Sequence, residues 1–205
     1  MINTFEIKKV EEKDILQIMK IYNFHVENGL ANFEENSLSH KEFIKLFNHI
    51  NNSNLPFLVA KKDNNVIGFT YLNQFRNKSG YKFSYENSIY VDINYTGQGI
   101  GYNLLKELIK VSLLDHKIKN IIAVIGSYDS EASIKIHTKN GFEMIGTIKK
   151  VGYKQGKWLD TIYMQRIREA RKSNDDLKYA VREINTLKTE LKEIKELLIK
   201  VTNGS

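Results

Sequence analysis

Apolar side chains at Ile15, Leu16, Ile18, Met19, Tyr22 and Val26 recur at helical spacing, which predicts an amphipathic helix over residues 11–28, closed by Asn28-Gly29. A second helix is expected from Ser39, whose hydroxyl suits an N-cap, to about Ile50. The pattern then turns to strands. Directly after the single proline comes FLVA, and Asn64-Asn65 turns that run into VIGFTYL, its expected hairpin partner. Residues 83–91 form a longer β-rich run, and IIAVI at 121–125 is wholly apolar, as in a strand buried on both faces. A short helix is expected over 132–139, ended by Asn140-Gly141, with two last strands near 142–151 and 158–165. Helices, antiparallel strands, strand–loop–helix, strand–helix and two further strands spell an α+β domain with a mixed sheet over residues 1–166.

Residues 167–205 follow another rule. Leu177, Val181, Ile184, Leu187, Leu191, Ile194, Leu198 and Val201 are spaced alternately by four and three, with one slip between Ile184 and Leu187. The result is a helix with a narrow apolar seam and a charged remainder. A short oligomerising coiled coil has this pattern, and so has a helix lying across its own domain.

Between the two halves of the domain, YTGQGIGYNLLKELI alternates Gly97, Gly99 and Gly101 after a strand and before a helix. Backbone without Cβ atoms can point several N–H groups at one anion, helped by the helix dipole, so a phosphate or pyrophosphate suits the loop. A plain structural turn is the alternative. Tyr102 follows Gly101, where a Walker A loop would need lysine and then serine or threonine. The dinucleotide fingerprint is missed by one residue, and no parallel βαβ unit opens the chain.

Net charge narrows the partners only slightly. It is +7, but the lysines are scattered and no cluster is interleaved with stacking aromatics. A nucleic-acid partner is therefore not expected, and a basin attracting an anionic small molecule is. No window approaches about eighteen uncharged apolar residues, and the first thirty residues mix polar and apolar positions. Neither a membrane span nor a signal peptide is expected. Cysteine is absent, which removes disulfides, thiolate metal sites and a cysteine nucleophile together. With Asn94-Tyr95-Thr96 as a glycosylation sequon inside the glycine loop, a cytoplasmic chain is expected. His25, His40, His49 and His116 lack paired ligand spacing, so no metal site is expected either.

The stretch YENSIYVDINYTGQGIGYNLLKELI resembles the core motif of the GNAT superfamily of acetyl-CoA-dependent N-acetyltransferases. More narrowly, PFLVA, FRNKSGYKFSYENSIYV, AVIG, ASIKIHTKNGF and VGYKQGKWLDTIYMQ are similar to phosphinothricin and methionine-sulfoximine N-acetyltransferases. The likeness covers roughly the first 165 residues and stops before the C-terminal helix. It implies a mostly antiparallel, twisted sheet flanked by helices. It also implies a homodimer through the last strands, supported by Trp158 and Asp160, with higher assembly through the tail as a further expectation.

The resemblance carries roles to individual residues. Main-chain groups of Ile89, Tyr90 and Val91 would pair with the pantetheine arm of acetyl-CoA. The amides of Gly97, Gln98, Gly99, Ile100, Gly101 and Tyr102 would hold its pyrophosphate. Glu86 falls at the general base, and His137 where many members carry a tyrosine acid for the leaving thiolate. Arg76 and Lys78 would meet the substrate carboxylate, Asn87 and Ser88 would border the substrate, and Phe33 would line its pocket. Two positions depart from the pattern. Thr96 replaces the Arg or Gln that opens the glycine motif, and Ser130 replaces a cofactor-binding asparagine.

Without cysteine, direct attack of an amine on the thioester is the simplest route. It needs a base, an oxyanion donor near Tyr90 or Val91, and protection for the thiolate. The expected acceptor is a small amino acid of the methionine sulfone, methionine sulfoximine or phosphinothricin type. An amino sugar or other amine, or a non-catalytic acyl-CoA-binding assembly module, are the alternatives.

Overall fold

In this computed structural model the described residues are 5–128 and 130–168, then 181, 184–189, 191, 192, 194–196 and 199. Strands β1 (Glu6–Lys9), β2 (Phe57–Lys62), β3 (Asn65–Gln74), β4 (Ser84–Val91), β5 (Asn120–Gly126), β6 (Glu143–Lys154) and β7 (Lys157–Ile167) form one sheet. Their order is β1-β2-β3-β4-β5-β7-β6. Every neighbouring pair is antiparallel except β4 and β5.

Four helices cover the sheet: α1 (Ile15–Asn28), α2 (His40–Asn52), α3 (Ile100–Ser112) and α4 (Glu131–Lys139). At the start of α2 Ser39 Oγ accepts from the Glu42 amide, and the Glu42 carboxylate accepts from the Ser39 amide at 2.8 Å. This reciprocal capping box satisfies two end groups at once. A 3-10 turn over Glu12–Asp14 precedes α1, so the helix begins four residues later than its apolar spacing implies. Asp14 accepts from the Glu11 amide at 3.1 Å and pairs with buried Lys61 on β2 at 2.6 Å, fastening that start to the sheet.

Side chains alternate between faces along β4. Tyr90 packs with Tyr22 and His25 of α1, whereas Val91 lies toward Gly101 of α3. One face of β4 therefore belongs to α1 and the other to α3 and α4. The core gathers Ile18, Val26, Phe43, Phe69, Leu105 and Leu108, all with no measurable exposure. Each such burial is worth about 1.5–3 kcal/mol before entropy is counted.

β6 and β7 join through Gln155 and Gly156, both with positive φ (50° and 75°), the two-residue turn that matches strand twist. Lys150, also at φ 50°, marks a bulge between Ile148 and Gly152. Asp160 fastens it, accepting from the Lys150 amide at 2.8 Å and from Lys149 Nζ at 2.9 Å. Those bonds hold the Asp160 carboxyl below its ordinary range, the Lys149 contact most strongly.

The chain divides into two compact units, Met1–Arg168 and Glu169–Ser205. In the second, the described residues are helical, and Val181, Ile184, Leu187, Leu191 and Ile194 are each about half exposed. Leu177, Leu198 and Val201 of the seam lie outside the described residues.

Candidate active site

β4 and β5 run parallel in register from Ser84↔Asn120 to Asn87↔Ala123, and there the pairing ends. β4 continues to Val91, while β5 continues to Gly126 against β7 alone. The sheet is split between them. Phe75 donates to the Ser84 carbonyl and Asp92 to the Ile67 carbonyl, at 3.1 and 3.0 Å. With the β3–β4 register unbroken between these points, the even-numbered residues of β4 bond to β3 and the odd ones face away. Ile89 and Val91 thus turn main-chain groups into the split. Tyr90 returns its own to β3 opposite Phe69, a correction to the expectation that all three serve the cofactor. The Val91 carbonyl also accepts from His25 Nε2 at 2.8 Å. Helical spacing alone gave His25 no role.

Beyond β4 the backbone folds into a nest. Asp92 accepts from the amide and side chain of Asn94 at 2.9 and 3.0 Å, shaping a 3-10 turn over Ile93–Tyr95. Thr96 Oγ donates back to the Ile93 carbonyl at 3.1 Å. Gly97 and Gly99 follow with φ of 75° and 79°, where a side chain is strained. A Cβ on Gly97 would meet nothing within 4 Å, and one on Gly99 only Asn103 Nδ2 at 3.7 Å. α3 then starts at Ile100 with no side-chain cap and no acidic residue in its first turn. The first amides of the helix have no intrahelical partner and stand beside exposed Gln98. Ile100 is buried with Ala60, Ile67 and Leu104 and anchors the loop. Space and donors together suit a pyrophosphate.

On the α1 face of β4 stand Glu86, Ser88 and Tyr90. Burial raises the pKa of Glu86, and the Arg76 charge partly opposes it. Around it, burial also raises the hydroxyl pKa values of Tyr71 and Tyr90, and the charges of Glu86 and Glu34 add to the rise. Asn32 Nδ2 donates to the Tyr90 hydroxyl at 3.2 Å. Arg76 is exposed, its guanidinium 4.6 Å from the Phe75 ring centroid. Lys78 is exposed at the head of a short 3-10 turn over Ser79–Tyr81. Phe33 lines an open cavity of about 640 Å³ with Glu34, Glu35, Glu42 and Tyr153.

Asn87 points the other way, a correction to its placement beside the substrate with Ser88. Its Nδ2 donates to His137 Nε2 at 3.0 Å, and its Oδ1 is buried without a partner. His137 Nδ1 donates to the Ser133 carbonyl at 2.8 Å. Both ring nitrogens are engaged and the ring is 3% exposed. Burial lowers its pKa, against the bond to Ser133, so the neutral ring is favoured. Ser130 is buried at the head of α4 and donates to the Ser127 carbonyl at 3.2 Å.

The sequence profile of the acetyltransferase (GNAT) domain matches residues 7–163. The chain belongs to the GNAT acetyltransferase family. It is an acetyl-CoA-dependent N-acetyltransferase. A phosphinothricin N-acetyltransferase from Alcaligenes faecalis is 35% identical over 160 residues, covering 78% of this chain and 81% of that protein. The L-methionine sulfoximine/L-methionine sulfone acetyltransferase of Pseudomonas aeruginosa is 32% identical over 153 residues, covering 74% and 88%. The crystal structure of a phosphinothricin acetyltransferase from Sinorhizobium meliloti in complex with AcCoA superposes with a TM-score of 0.77. That pair shares 37% identity over 82% of this chain and 92% of the other.

In this acetyltransferase the split beside Ile89 and Val91 and the empty-sided glycine nest both fit acetyl-CoA. Thr96 spends its hydroxyl on the Ile93 carbonyl, so the departure at that position leaves the nest amides in place. Among the described residues, no group of three His, Asp or Glu is arranged to hold a metal, and no helix is long and apolar enough to cross a membrane.

Proposed function

We propose that this acetyltransferase acetylates the α-amino group of a small amino acid with a tetrahedral polar side chain, with Glu86 as general base. The observation that carries the reading is Glu86 itself: a carboxylate with a raised pKa on the tyrosine-lined face of β4, under the influence of Arg76. A base with a raised pKa is better matched to removing a proton from an ammonium group. Arg76 then supplies the charge for the substrate carboxylate, with Lys78 as a second cation in the same exposed segment. Ser88 shares the face of Glu86, and Phe33 lines the acceptor pocket. Acetyl-CoA, when bound, brings the activated acyl group. The Val91 N–H, which faces away from β3, is the donor for the developing oxyanion. His137 holds Asn87 in place and does not protonate the thiolate; its two engaged nitrogens support that assignment.

The relatives named above act on phosphinothricin and on methionine sulfoximine and sulfone, and they favour this acceptor class. Thiol release from acetyl-CoA should be measured with L-methionine sulfone, L-methionine sulfoximine, L-phosphinothricin, glucosamine and spermidine. The first three should exceed the others by about 10²-fold in kcat/KM, because a site built around a carboxylate rejects amines lacking one. Release confined to glucosamine or spermidine would refute the acceptor class.

We further propose that the domain, residues 1–166, dimerises through β6 and β7 and that the tail, residues 167–205, adds a coiled-coil contact. Edge strand β6 exposes Met144, Ile145, Ile148 and Val151, and Trp158 beside them is 63% exposed. Charges such as Lys192 and Glu196, 4.0 Å apart, support the tail helix without choosing its partner. Truncation after Arg171 should lower the mass seen by light scattering and leave acetylation intact, since every site residue precedes it. Equal masses would rule out the tail contact.

A further inference from the structure

Residues 29–39 link α1 to α2 and carry Asn32 to the Tyr90 hydroxyl, on the face of β4 that also holds Glu86. A connection of this kind has no ladder of its own, yet this one is held at several points. Asn23 bonds Leu38 in both directions, Nδ2 to the carbonyl and amide to Oδ1, each at 2.9 Å. Ala31 lies directly on Gly126 of β5, where a Cβ would come within 2.8 Å of its Cα. The Phe33 ring covers Gly152 of β6, where a Cβ would stand 2.3 Å from Cε2. A further anchor is Lys154, the last residue of β6. Its Nζ donates to the Val26 carbonyl at 2.6 Å and to the Asn32 carbonyl at 2.7 Å.

Lys154 is 2% exposed. An ammonium in such a place is costly unless its protons are used, and here two of three bind main-chain carbonyls that would otherwise lack this donor. Its neighbour Gln155 adds a bond from Nε2 to the Glu27 carbonyl at 3.2 Å. The tip of the last hairpin therefore grips both the final turn of α1 and the loop after it. Asn32 is gripped by its carbonyl and reaches the Tyr90 hydroxyl with its side chain.

We propose that Lys154 is a positioning residue for acceptor recognition: by tying the Val26 and Asn32 carbonyls to β6 it fixes the loop whose Asn32 reaches Tyr90, on the β4 face that carries Glu86. The inference rests on the acceptor reading above, and none of these anchors touches the glycine nest. The loop should thus govern the acceptor and leave acetyl-CoA alone.

Lys154→Met keeps the apolar stem and removes every donor. In the full-length chain, amide hydrogen exchange across residues 29–38 should quicken about tenfold, since local opening sets its rate. KM for L-methionine sulfone should rise about tenfold while KM for acetyl-CoA stays within about twofold, the loss being confined to bonds that hold the loop. Lys154→Arg, which keeps a cationic donor, should recover part of the loss. Gly152→Ala leaves Lys154 in place and displaces Phe33, so it should raise the acceptor KM in the same way. It decides the matter if Lys154→Met does not fold. Unchanged exchange and unchanged acceptor KM in folded Lys154→Met, or an equal rise in both KM values, would overturn the proposal. Should the unaltered chain acetylate none of methionine sulfone, methionine sulfoximine and phosphinothricin, the acceptor class falls while hydrogen exchange still judges the role of Lys154.

Discussion

Glu86→Gln is expected to lower turnover by about 10²–10⁴-fold, the usual contribution of a general base, with acetyl-CoA affinity nearly unchanged. Glutamine keeps the shape and cannot take the proton. The pH dependence makes the assignment sharper. Burial raises the Glu86 pKa, so the carboxylate is lost on acidification at a pH above the ordinary carboxylate range. The step in kcat/KM that belongs to Glu86 should therefore lie above that range in the unaltered enzyme and be absent in Glu86→Gln, which keeps only the rise that follows the acceptor amine. Arg76 is the charge that pulls this pKa down. Removing it in Arg76→Ala should move that step to still higher pH, besides weakening carboxylate-bearing acceptors. As pH rises, more of the acceptor amine is already neutral, and the deficit of Glu86→Gln should shrink. Turnover at the unaltered level near neutral pH would return Glu86 to a structural role.

The parts of the fold legible in the sequence are those set by local pattern. Ser39 announces the start of α2 because an N-cap is a local signal, and the structure closes it as a capping box with Glu42. The apolar run at 121–125 announces β5 because the strand is central in the sheet. β1 is silent for the opposite reason. It is a four-residue edge strand whose only inward-leaning side chain is Ile7, so no alternation can be read. The strand expected near 142–151 runs three residues further, to Lys154, because Lys149 and Lys150 form a bulge that Asp160 fastens and the pairing resumes beyond it.

Site chemistry divides along the same line. The glycine nest is contiguous, and its residue types declare the backbone freedom that two positive φ angles require. Glu86 is found by resemblance, but its raised pKa comes from packing. The pairing of Asn87 with His137 spans fifty residues, and that of Lys154 with Val26 spans 128. Contacts of that separation leave no local trace, so the sequence alone puts Asn87 beside the substrate and gives Lys154 no role. The face of Asn87 follows once β4 is seen to pack α1 on one side and α4 on the other.

Gly99→Val is expected to abolish most acetyl-CoA binding in a chain that still folds. Two effects separate cleanly at this position. The φ of 79° strains any β-branched residue, at a cost of about 1–3 kcal/mol, and this strain is paid whether or not acetyl-CoA is present. The second effect concerns space. A Cβ at Gly99 meets only Asn103 Nδ2 at 3.7 Å, so the protein itself does not exclude the valine side chain. It would project where the amides at the start of α3 should meet pyrophosphate. Losing two charge-assisted bonds there costs about 3–6 kcal/mol, or roughly 10²-fold or more in Kd. Gly99→Ala carries strain with little bulk and should lose far less affinity than Gly99→Val. Calorimetric titration with acetyl-CoA, alongside thermal unfolding of each variant, distinguishes strain from occlusion. Unaltered affinity in folded Gly99→Val would move the pyrophosphate away from this loop.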